Sequence, residues 1–180
     1  EYQIEDEPLG TAGSLKLIRR CEDDFLVMNG DILTTLSYRR LFQRHRKKKA
    51  WATIAVHERT VQIDYGVVET TAAGTLANYI EKPSLPYSVS MGVNILSRQA
   101  LQYIPAGRKF DMPELMLALH HAGKPVHCYR TNCYWQDIGR FDDFQNASND
   151  YANDQQKFLP AGTRRPARMK RTASSESEHD

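Results

Sequence analysis

Apolar and polar positions alternate along this chain in blocks that predict strands and helices in turn. Continuous apolar runs predict buried strands, the first of them in a parallel sheet, at residues 25–28, 52–56 and 89–96. A β-hairpin is predicted where two strand-like segments flank a Gly-containing turn, at residues 65–69 and 76–81. Four helices are predicted to begin after the cap residues Thr11, Ser37, Ser97 and Asp111. A fifth helix is predicted at residues 141–158, where apolar residues recur at helical spacing. The pattern favours an α/β fold.

Two carboxylates stand at the ends of predicted strands, far apart in sequence. Asp31 follows the first apolar run and Gly30, and Asp137 precedes Gly139 after a second short strand. Open α/β sheets bind ligands just beyond the carboxyl ends of their strands. Each Asp on its own is also explained as a turn former or a helix cap. Two such acids brought together would instead be ligands of one hard cation.

A glycine pair near the beginning of the chain leaves backbone unshielded. Gly10 and Gly13 carry no side chain where Thr11 is predicted to cap a helix. A flat ring or a phosphate approaches such amides closely. The alternative is a plain glycine-containing loop. The segment is not a P-loop, since no Gly-Lys-Ser/Thr follows.

Three later positions have both a structural and a functional interpretation. Glu81 and Lys82 form a charged strand end before Pro83, or they bind sugar hydroxyls and a phosphate. Gly92 lies inside a predicted strand, where it marks either a bulge or the close approach of a ligand.

Composition predicts one domain and a tail. The 180 residues suffice for a domain with its own core, which we place at residues 1–159. The net charge of +2 hides a local excess of basic residues at 39–49 and after Pro160. No aromatic platform is interleaved with the basic helix, so a solvated face is favoured over nucleic-acid binding. Residues 160–180, basic and then rich in Ser and Glu, are predicted to be disordered.

The cysteines indicate a reducing environment. Three of them, an odd number, argue against a disulfide framework and for a cytoplasmic location. His120, His121, His127, Cys128 and Cys133 lie near one another in sequence, but their spacings fit no tetrahedral zinc site. No apolar run is long enough to span a bilayer, so no membrane association is expected. A homodimer is compatible with the sequence, which has no feature that requires one.

Seven short segments follow one another in an order typical of a single enzyme family: Glu7-Pro8-Leu9-Gly10-Thr11-Ala12-Gly13, Asn29-Gly30-Asp31, Asp64-Tyr65-Gly66-Val67-Val68-Glu69, Glu81-Lys82-Pro83, Ser90-Met91-Gly92, Phe110-Asp111-Met112-Pro113 and Trp135-Gln136-Asp137-Ile138-Gly139. Through them the chain resembles the sugar-1-phosphate nucleotidylyltransferases. The resemblance implies a Rossmann-like α/β sandwich with a mixed, mainly parallel central sheet. It also implies that the phosphate of a sugar 1-phosphate attacks the α-phosphorus of a nucleoside triphosphate and that pyrophosphate leaves. The pairs mannose with GTP and glucose with UTP or dTTP remain open.

The resemblance also implies roles for individual residues. Two anions must meet in this reaction, so a divalent cation and a lysine are needed to offset their repulsion. By family likeness Asp31 and Asp137 hold Mg²⁺ and Lys82 binds the sugar phosphate, which makes these three the catalytic candidates. The remaining candidates bind substrate: Gly10, Thr11 and Ala12 at the nucleobase, and Gly66, Glu81, Ser90 and Gly92 at the sugar.

Two departures from the family pattern affect these expectations. Many members carry Asn-Ala-Gly where this chain has Ser90-Met91-Gly92, which leaves the choice of sugar open. The family opens with a Gly-rich loop of the form G-x-G-T-R-x-x-P, which supplies the triphosphate cradle, and no segment here matches it. The chain also begins with Glu1. We therefore expect it to be N-terminally truncated and, as given, inactive or nearly so.

Two other classes of protein compete with this interpretation. A non-catalytic or regulatory homologue would bind a nucleotide sugar or a partner subunit, and it would not need the Gly-rich loop. A metal-dependent glycosyltransferase would require Asp-x-Asp after the strand, whereas Asp31 is followed by Ile32-Leu33.

Overall fold

The structure is a computed structural model that describes residues 4–18 and 20–159. Its helices are α1 Gly10–Gly13, α2 Tyr38–Lys48, α3 Met112–His121, α4 Phe141–Asn153 and α5 Gln155–Phe158, with 3-10 turns at Ser14–Leu17 and Arg98–Tyr103. Its strands are β1 Asp24–Met28, β2 Ile32–Thr34, β3 Ala52–Gln62, β4 Val67–Thr70, β5 Leu76–Ile80, β6 Ser84–Ser97, β7 Val126–Arg130 and β8 Trp135–Asp137. The predicted tail, residues 160–180, lies outside the described residues.

Four strands form the central sheet in the order β1-β6-β3-β7. Strand β6 pairs antiparallel with both β1 and β3, and β3 pairs parallel with β7. The strands β1, β3 and β7 therefore run in one direction, and β6 runs against them. The predicted mixed sheet is confirmed, but the expectation that it is mainly parallel is wrong for the described residues. Two of its three strand pairs are antiparallel, because β6 lies between two strands of the opposite direction.

The strand before Asp31 was expected to be buried within a parallel sheet, and this prediction is wrong for the described sheet. Strand β1 is at its edge and pairs only with the antiparallel β6. Its residues are half-buried, with Met28 exposed. The most deeply buried strand residues belong instead to β3 and β6, which have a strand on either side.

Alternating side chains of β6 build two cores, one on each face of the sheet. Leu96 packs with residues of α1 and α3 such as Ala12 and Leu119. Val93 and Ile95 pack on the opposite face, where α2 contributes its buried leucine. Because successive side chains of a strand point to opposite faces, this one strand joins both layers of helices into an α/β sandwich.

Local capping signals place α2 and α3 as predicted. Ser37 Oγ accepts a hydrogen bond from Arg40 N–H at 3.4 Å at the start of α2. Asp111 and Glu114 form a capping box at the start of α3, where Asp111 N–H donates to Glu114 Oε2 at 2.6 Å. Leu41 of α2 is buried while the arginines and lysines of this helix are exposed, which confirms that these cations face outward.

Three helix predictions need correction. Thr11 lies inside the short α1, whose N-cap is Leu9, and its Oγ1 accepts from the Met112 N–H instead of capping its own helix. Ser97 occupies the N-cap position of a 3-10 turn but makes no side-chain cap hydrogen bond. The segment predicted as one helix is broken at Asp154, whose non-helical backbone (φ −145°, ψ 68°) separates α4 from α5.

Two small two-stranded sheets complete the fold. The predicted hairpin is confirmed as the antiparallel pair β4–β5. The other pair, β2–β8, joins segments that are far apart in sequence. In the part of the chain that the structure describes, no helix combines the length and apolar character that crossing a bilayer requires.

Candidate active site

The β2–β8 pair brings the two predicted acidic residues together. In its antiparallel register Ile32 stands opposite Asp137, so Asp31 lies directly before the paired position. The Ile138 N–H donates to the Asp31 carbonyl at 2.9 Å and extends the ladder by one bond. This short pair therefore fixes the backbone beneath both carboxylates.

Both carboxylates converge beside Gly139. A Cβ built on Gly139 would lie 3.2 Å from Asp137 Oδ1 and 3.4 Å from Asp31 Oδ2. The Gly139 N–H donates to Asp137 Oδ1 at 3.0 Å and holds that side chain in place. Both Asp residues are exposed. The two acids of the sequence thus meet at one accessible point, as expected.

This pair suits a hard cation that takes few protein ligands. Among the described residues no group of three or more His, Cys, Asp or Glu side chains could hold a metal ion. A cation at Asp31 and Asp137 would therefore complete its shell with water or ligand oxygens. Magnesium is bound in this way, through one or two carboxylates and the phosphates of a substrate.

A cleft of about 810 Å³ opens beside Asp137. Its lining is mostly apolar, with a few polar groups among the apolar side chains: Thr11, Asn29, Ser90, Asn94 and Asp137. Gly92 also lines it. Clefts of this size and character commonly bind small molecules. Four predicted site residues, Thr11, Ser90, Gly92 and Asp137, are thus brought together.

Gly92 shapes the cleft through the loop that carries Asp31. Its φ of +69° is left-handed, and a Cβ there would meet Asn29 Nδ2 at 2.8 Å and Ile32 Cδ1 at 3.0 Å. The Asn29 N–H donates to the Gly92 carbonyl at 3.0 Å. A side chain at position 92 would therefore displace the loop, so the glycine positions Asp31 even without touching a ligand.

The loop around Thr11 is tied to the start of α3. Thr11 N–H donates to Asp111 Oδ1 at 2.9 Å, and Thr11 Oγ1 accepts from Met112 N–H at 2.8 Å. Gly10 has no room for a side chain, since a Cβ would lie 2.6 Å from Asp111 Oδ1. Ala12 is fully buried and its N–H donates to Phe110 O at 3.0 Å, so its side chain faces the core and not the cleft.

The remaining predicted residues lie on or beside the hairpin and do not line this cleft. Gly66 packs beneath the phenol of Tyr79, whose Cζ would be 2.7 Å from a Cβ at position 66. Glu81 and Lys82 are exposed. Lys82 has a φ of +43°, which is uncommon for a residue other than glycine. A strained, exposed lysine of this kind is consistent with a functional position.

Sequence reasoning missed most of the apolar lining. Met28, Met91, Met112 and Met116 all contribute to the cleft, and Asn94 brings a nearly buried amide. Methionine side chains are flexible and adapt to ligands of different shape. Met91 and Met112 lie within segments that the family resemblance singled out, but nothing in their local sequence distinguishes a cleft residue from a core residue.

Comparison with known proteins identifies the family of this chain. The Nucleotidyl transferase family profile matches residues 1–154, and the chain belongs to this family. UTP–glucose-1-phosphate uridylyltransferase of Synechocystis sp. is 32% identical over 150 residues, which are 77% of this chain and 39% of that protein. Mannose-1-phosphate guanyltransferase of Yarrowia lipolytica is 29% identical over 170 residues, 88% of this chain and 46% of that protein.

Solved structures confirm the Rossmann-like fold. HddC from Yersinia pseudotuberculosis superposes with a TM-score of 0.55 at 24% identity, covering 82% of this chain and 64% of that one. The same protein complexed with GMP-PN gives a TM-score of 0.54 at 25% identity, covering 83% and 65%. The chain thus spans about 40% to two-thirds of the length of these relatives.

Proposed function

We propose that the protein containing this chain transfers a nucleotidyl group from a nucleoside triphosphate to a sugar 1-phosphate, with release of pyrophosphate. An oxygen of the sugar phosphate attacks the α-phosphorus, a new phosphorus–oxygen bond forms, and the bond to the β-phosphate breaks. The observation that carries the proposal is the convergence of Asp31 and Asp137 at one accessible point beside the cleft.

We assign the metal site to these two carboxylates. Bound there, Mg²⁺ would offset the charge of the triphosphate oxygens as the second phosphate approaches. The tasks of the protein are to hold the two carboxylates and to keep them accessible. The β2–β8 ladder and the Gly139 N–H hold the carboxylates in place. The space around Gly30 keeps them accessible, since a Cβ there would meet no other atom within 4 Å.

We assign the substrates to the two parts of the site. The nucleobase would lie near Gly10 and Thr11, where the packing against Asp111 leaves no side chain at position 10. The sugar would lie near Ser90 and Gly92, and the hairpin would bring Gly66, Glu81 and Lys82 to it. The relatives act on different pairs, since their names specify UTP with glucose 1-phosphate and guanylyl transfer to mannose 1-phosphate.

We also retain the expectations of a cytoplasmic location and a homodimer. All three cysteines are free, Cys21, Cys128 and Cys133, which supports a reducing compartment. The oligomeric state is tested directly by sedimentation of the natural protein that contains this chain.

The test of activity is a screen for pyrophosphate release by that natural protein. GTP, UTP and dTTP are each paired with mannose 1-phosphate and glucose 1-phosphate in the presence of Mg²⁺. At least one pair should give turnover, and Asp137→Asn should lower it by about 100-fold or more because half of the carboxylate charge at the metal is lost. Asp23→Asn, a matched change at a side chain that is 96% exposed, should leave turnover unchanged.

A second measurement separates the metal site from the reaction. Mn²⁺ added to the chain should broaden the amide resonances of residues 30–32 and 137–139 first, and Asp31→Asn should abolish the effect. Selective broadening without turnover for any pair would leave the site but remove the activity, and the alternative of a non-catalytic homologue would then lead. Broadening that survives in Asp31→Asn would remove Asp31 from the metal site.

A further inference from the structure

A second concave surface lies between α2 and β7, away from the cleft. It has a volume of about 430 Å³, and we call it the basic groove, defined by Arg40, Arg44, Lys47, His127 and Arg130. Its other lining residues carry no charge, and no acidic side chain of the described residues lines it. It shares no lining residue with the cleft beside Asp137.

The groove is built by the helical repeat of α2. Arg40, Arg44 and Lys47 are spaced four and three residues apart, so they project from one side of the helix. Leu41 and His45 are buried on the adjoining face, where they fix the helix against the sheet. The three cations are therefore held along one line by a helix that cannot rotate.

Strand β7 supplies the opposite wall. It is an edge strand of the described sheet and pairs only with β3. Arg130 at its end adds a fourth permanent cation to those of α2. One side of the β7 backbone has no strand partner within the described residues.

The charge in the groove is not compensated by the protein itself. Among the described residues, Arg40, Arg44, Lys47 and Arg130 make no ion pair, whereas their neighbour Arg46 is bound by Asp24 at 2.9 Å. Burial lowers the pKa of His127, and the positive charges of Arg44 and Lys48 lower it further. The positive charges of α2 therefore act on His127 across the groove.

We propose that the basic groove binds a small polyphosphate anion, inorganic or attached to a nucleoside, at a site separate from the cleft. Four cations around a small volume match a ligand that concentrates several negative charges in a short chain. The volume of about 430 Å³ is that of a small-molecule site. A single-stranded nucleic acid would instead use a charged track with aromatic stacking, and Tyr129 is the only Phe, Tyr or Trp side chain among the described residues that line the groove.

The experiment titrates the chain with inorganic pyrophosphate at 150 mM NaCl and follows backbone amide resonances. EDTA is present throughout, so binding through a metal at Asp31 and Asp137 does not contribute. Saturable shifts should appear at residues 127–130 and along α2. Arg44→Gln and Arg130→Gln should each weaken the affinity by about tenfold, since each removes one charge-assisted contact.

Arg39→Gln is the matched control, because it removes the same charge from the same helix at a residue that does not line the groove. It should change the affinity by less than about twofold. Equal weakening by Arg39→Gln and Arg44→Gln would reduce the effect to general surface charge and overturn the proposal. Shifts confined to the cleft, or tighter binding of a single-stranded oligonucleotide that shifts all of α2, would also overturn it.

Discussion

Asp31 and Asp137 meet on either side of Gly139, although 105 residues separate them in sequence. The β2–β8 ladder accounts for this meeting, since it places Ile32 opposite Asp137 and leaves Asp31 one step beyond the pair. The glycine between them is part of the arrangement. A Cβ at position 139 would lie 3.2 Å from an oxygen of Asp137 and 3.4 Å from an oxygen of Asp31.

Gly139→Ala should therefore weaken metal binding without changing either carboxylate. The added methyl group would lie 3.2 Å from Asp137 Oδ1, which must shift by a few tenths of an ångström, and 3.4 Å from Asp31 Oδ2, where it would reach van der Waals contact. We expect the Mn²⁺ affinity to fall by about tenfold, as changes beside metal ligands commonly do. Titration of Mn²⁺ followed by its electron paramagnetic resonance signal measures this.

Gly30→Ala is the matched control for crowding. Gly30 adjoins Asp31, but a Cβ there meets no atom within 4 Å, and its φ is not in the left-handed region. The Mn²⁺ affinity of Gly30→Ala should stay within about twofold of the parent. An equal loss in the two variants would show that the affinity depends on backbone flexibility rather than on the space between the carboxylates.

The backbone of Lys82 allows its charge to be separated from its conformation. Lys82→Ala and Lys82→Gly both remove the ammonium, so each should weaken binding of the sugar 1-phosphate by about tenfold. Only glycine relieves the φ of +43°, so Lys82→Gly should be more stable to urea than Lys82→Ala by about 1 kcal/mol. Calorimetry with mannose 1-phosphate and glucose 1-phosphate, together with urea unfolding, measures both effects.

The exposed Lys49 is the control for this pair, because it has a φ of +47° at the C-terminus of α2 and does not line the cleft. Lys49→Gly should gain stability in the same way and leave sugar-phosphate binding unchanged. If Lys82→Ala retains full affinity for both sugar phosphates, the lysine is not part of the sugar site.

What the sequence predicted well depends on neighbours along the chain. The caps Ser37 and Asp111 and the hairpin β4–β5 are all set by residues within a few positions, and the structure confirms them. Asp31 and Asp137 were chosen because each ends a strand beside a glycine, and they do converge. The short strand β2, which pairs with β8 and brings the two acids together, was not predicted. Its three residues are too few to show the alternation of apolar and polar positions that indicates a strand.

The errors arise where a distant residue decides the outcome. Thr11 has the sequence of a cap, but Asp111 supplies the acceptor for its N–H from across the chain. Strand order is likewise not local, so nothing near β1 indicates that the antiparallel β6 is its neighbour. His45 was overlooked among exposed cations, yet its spacing of four from the buried Leu41 places it on the inner face of α2.

The contact between Thr11 and Asp111 should be important for stability. Asp111→Ala removes the acceptor for Thr11 N–H and one half of the capping box, so we expect a loss of about 2 kcal/mol. Asp111→Asn keeps an acceptor oxygen and should lose about half as much. Urea unfolding measures both, and equal losses in the two variants would show that the negative charge matters more than the hydrogen bonds.

The buried His45 should make the fold sensitive to acid. Its Nδ1 lies 2.8 Å from Thr53 Oγ1, and its Nε2 lies 3.4 Å from Asp24 Oδ1. Burial lowers the pKa of His45 below its ordinary value of 6.5, and the carboxylate of Asp24 opposes this only in part. The unfolded chain therefore takes up the proton first as the pH falls, so the free energy of unfolding is full above about pH 6.5 and declines below it.

Comparison with His45→Gln isolates this contribution, because glutamine fills a similar volume and does not titrate. Between pH 7.5 and 5.5 the parent should lose more stability than His45→Gln, with a difference in slope of at most about 1.4 kcal/mol per pH unit, the limit for one proton. The exposed His121 provides the control, and His121→Gln should follow the parent. Parallel curves for the parent and His45→Gln would mean that the folded protein accommodates the charged ring, with Asp24 as its counter-ion.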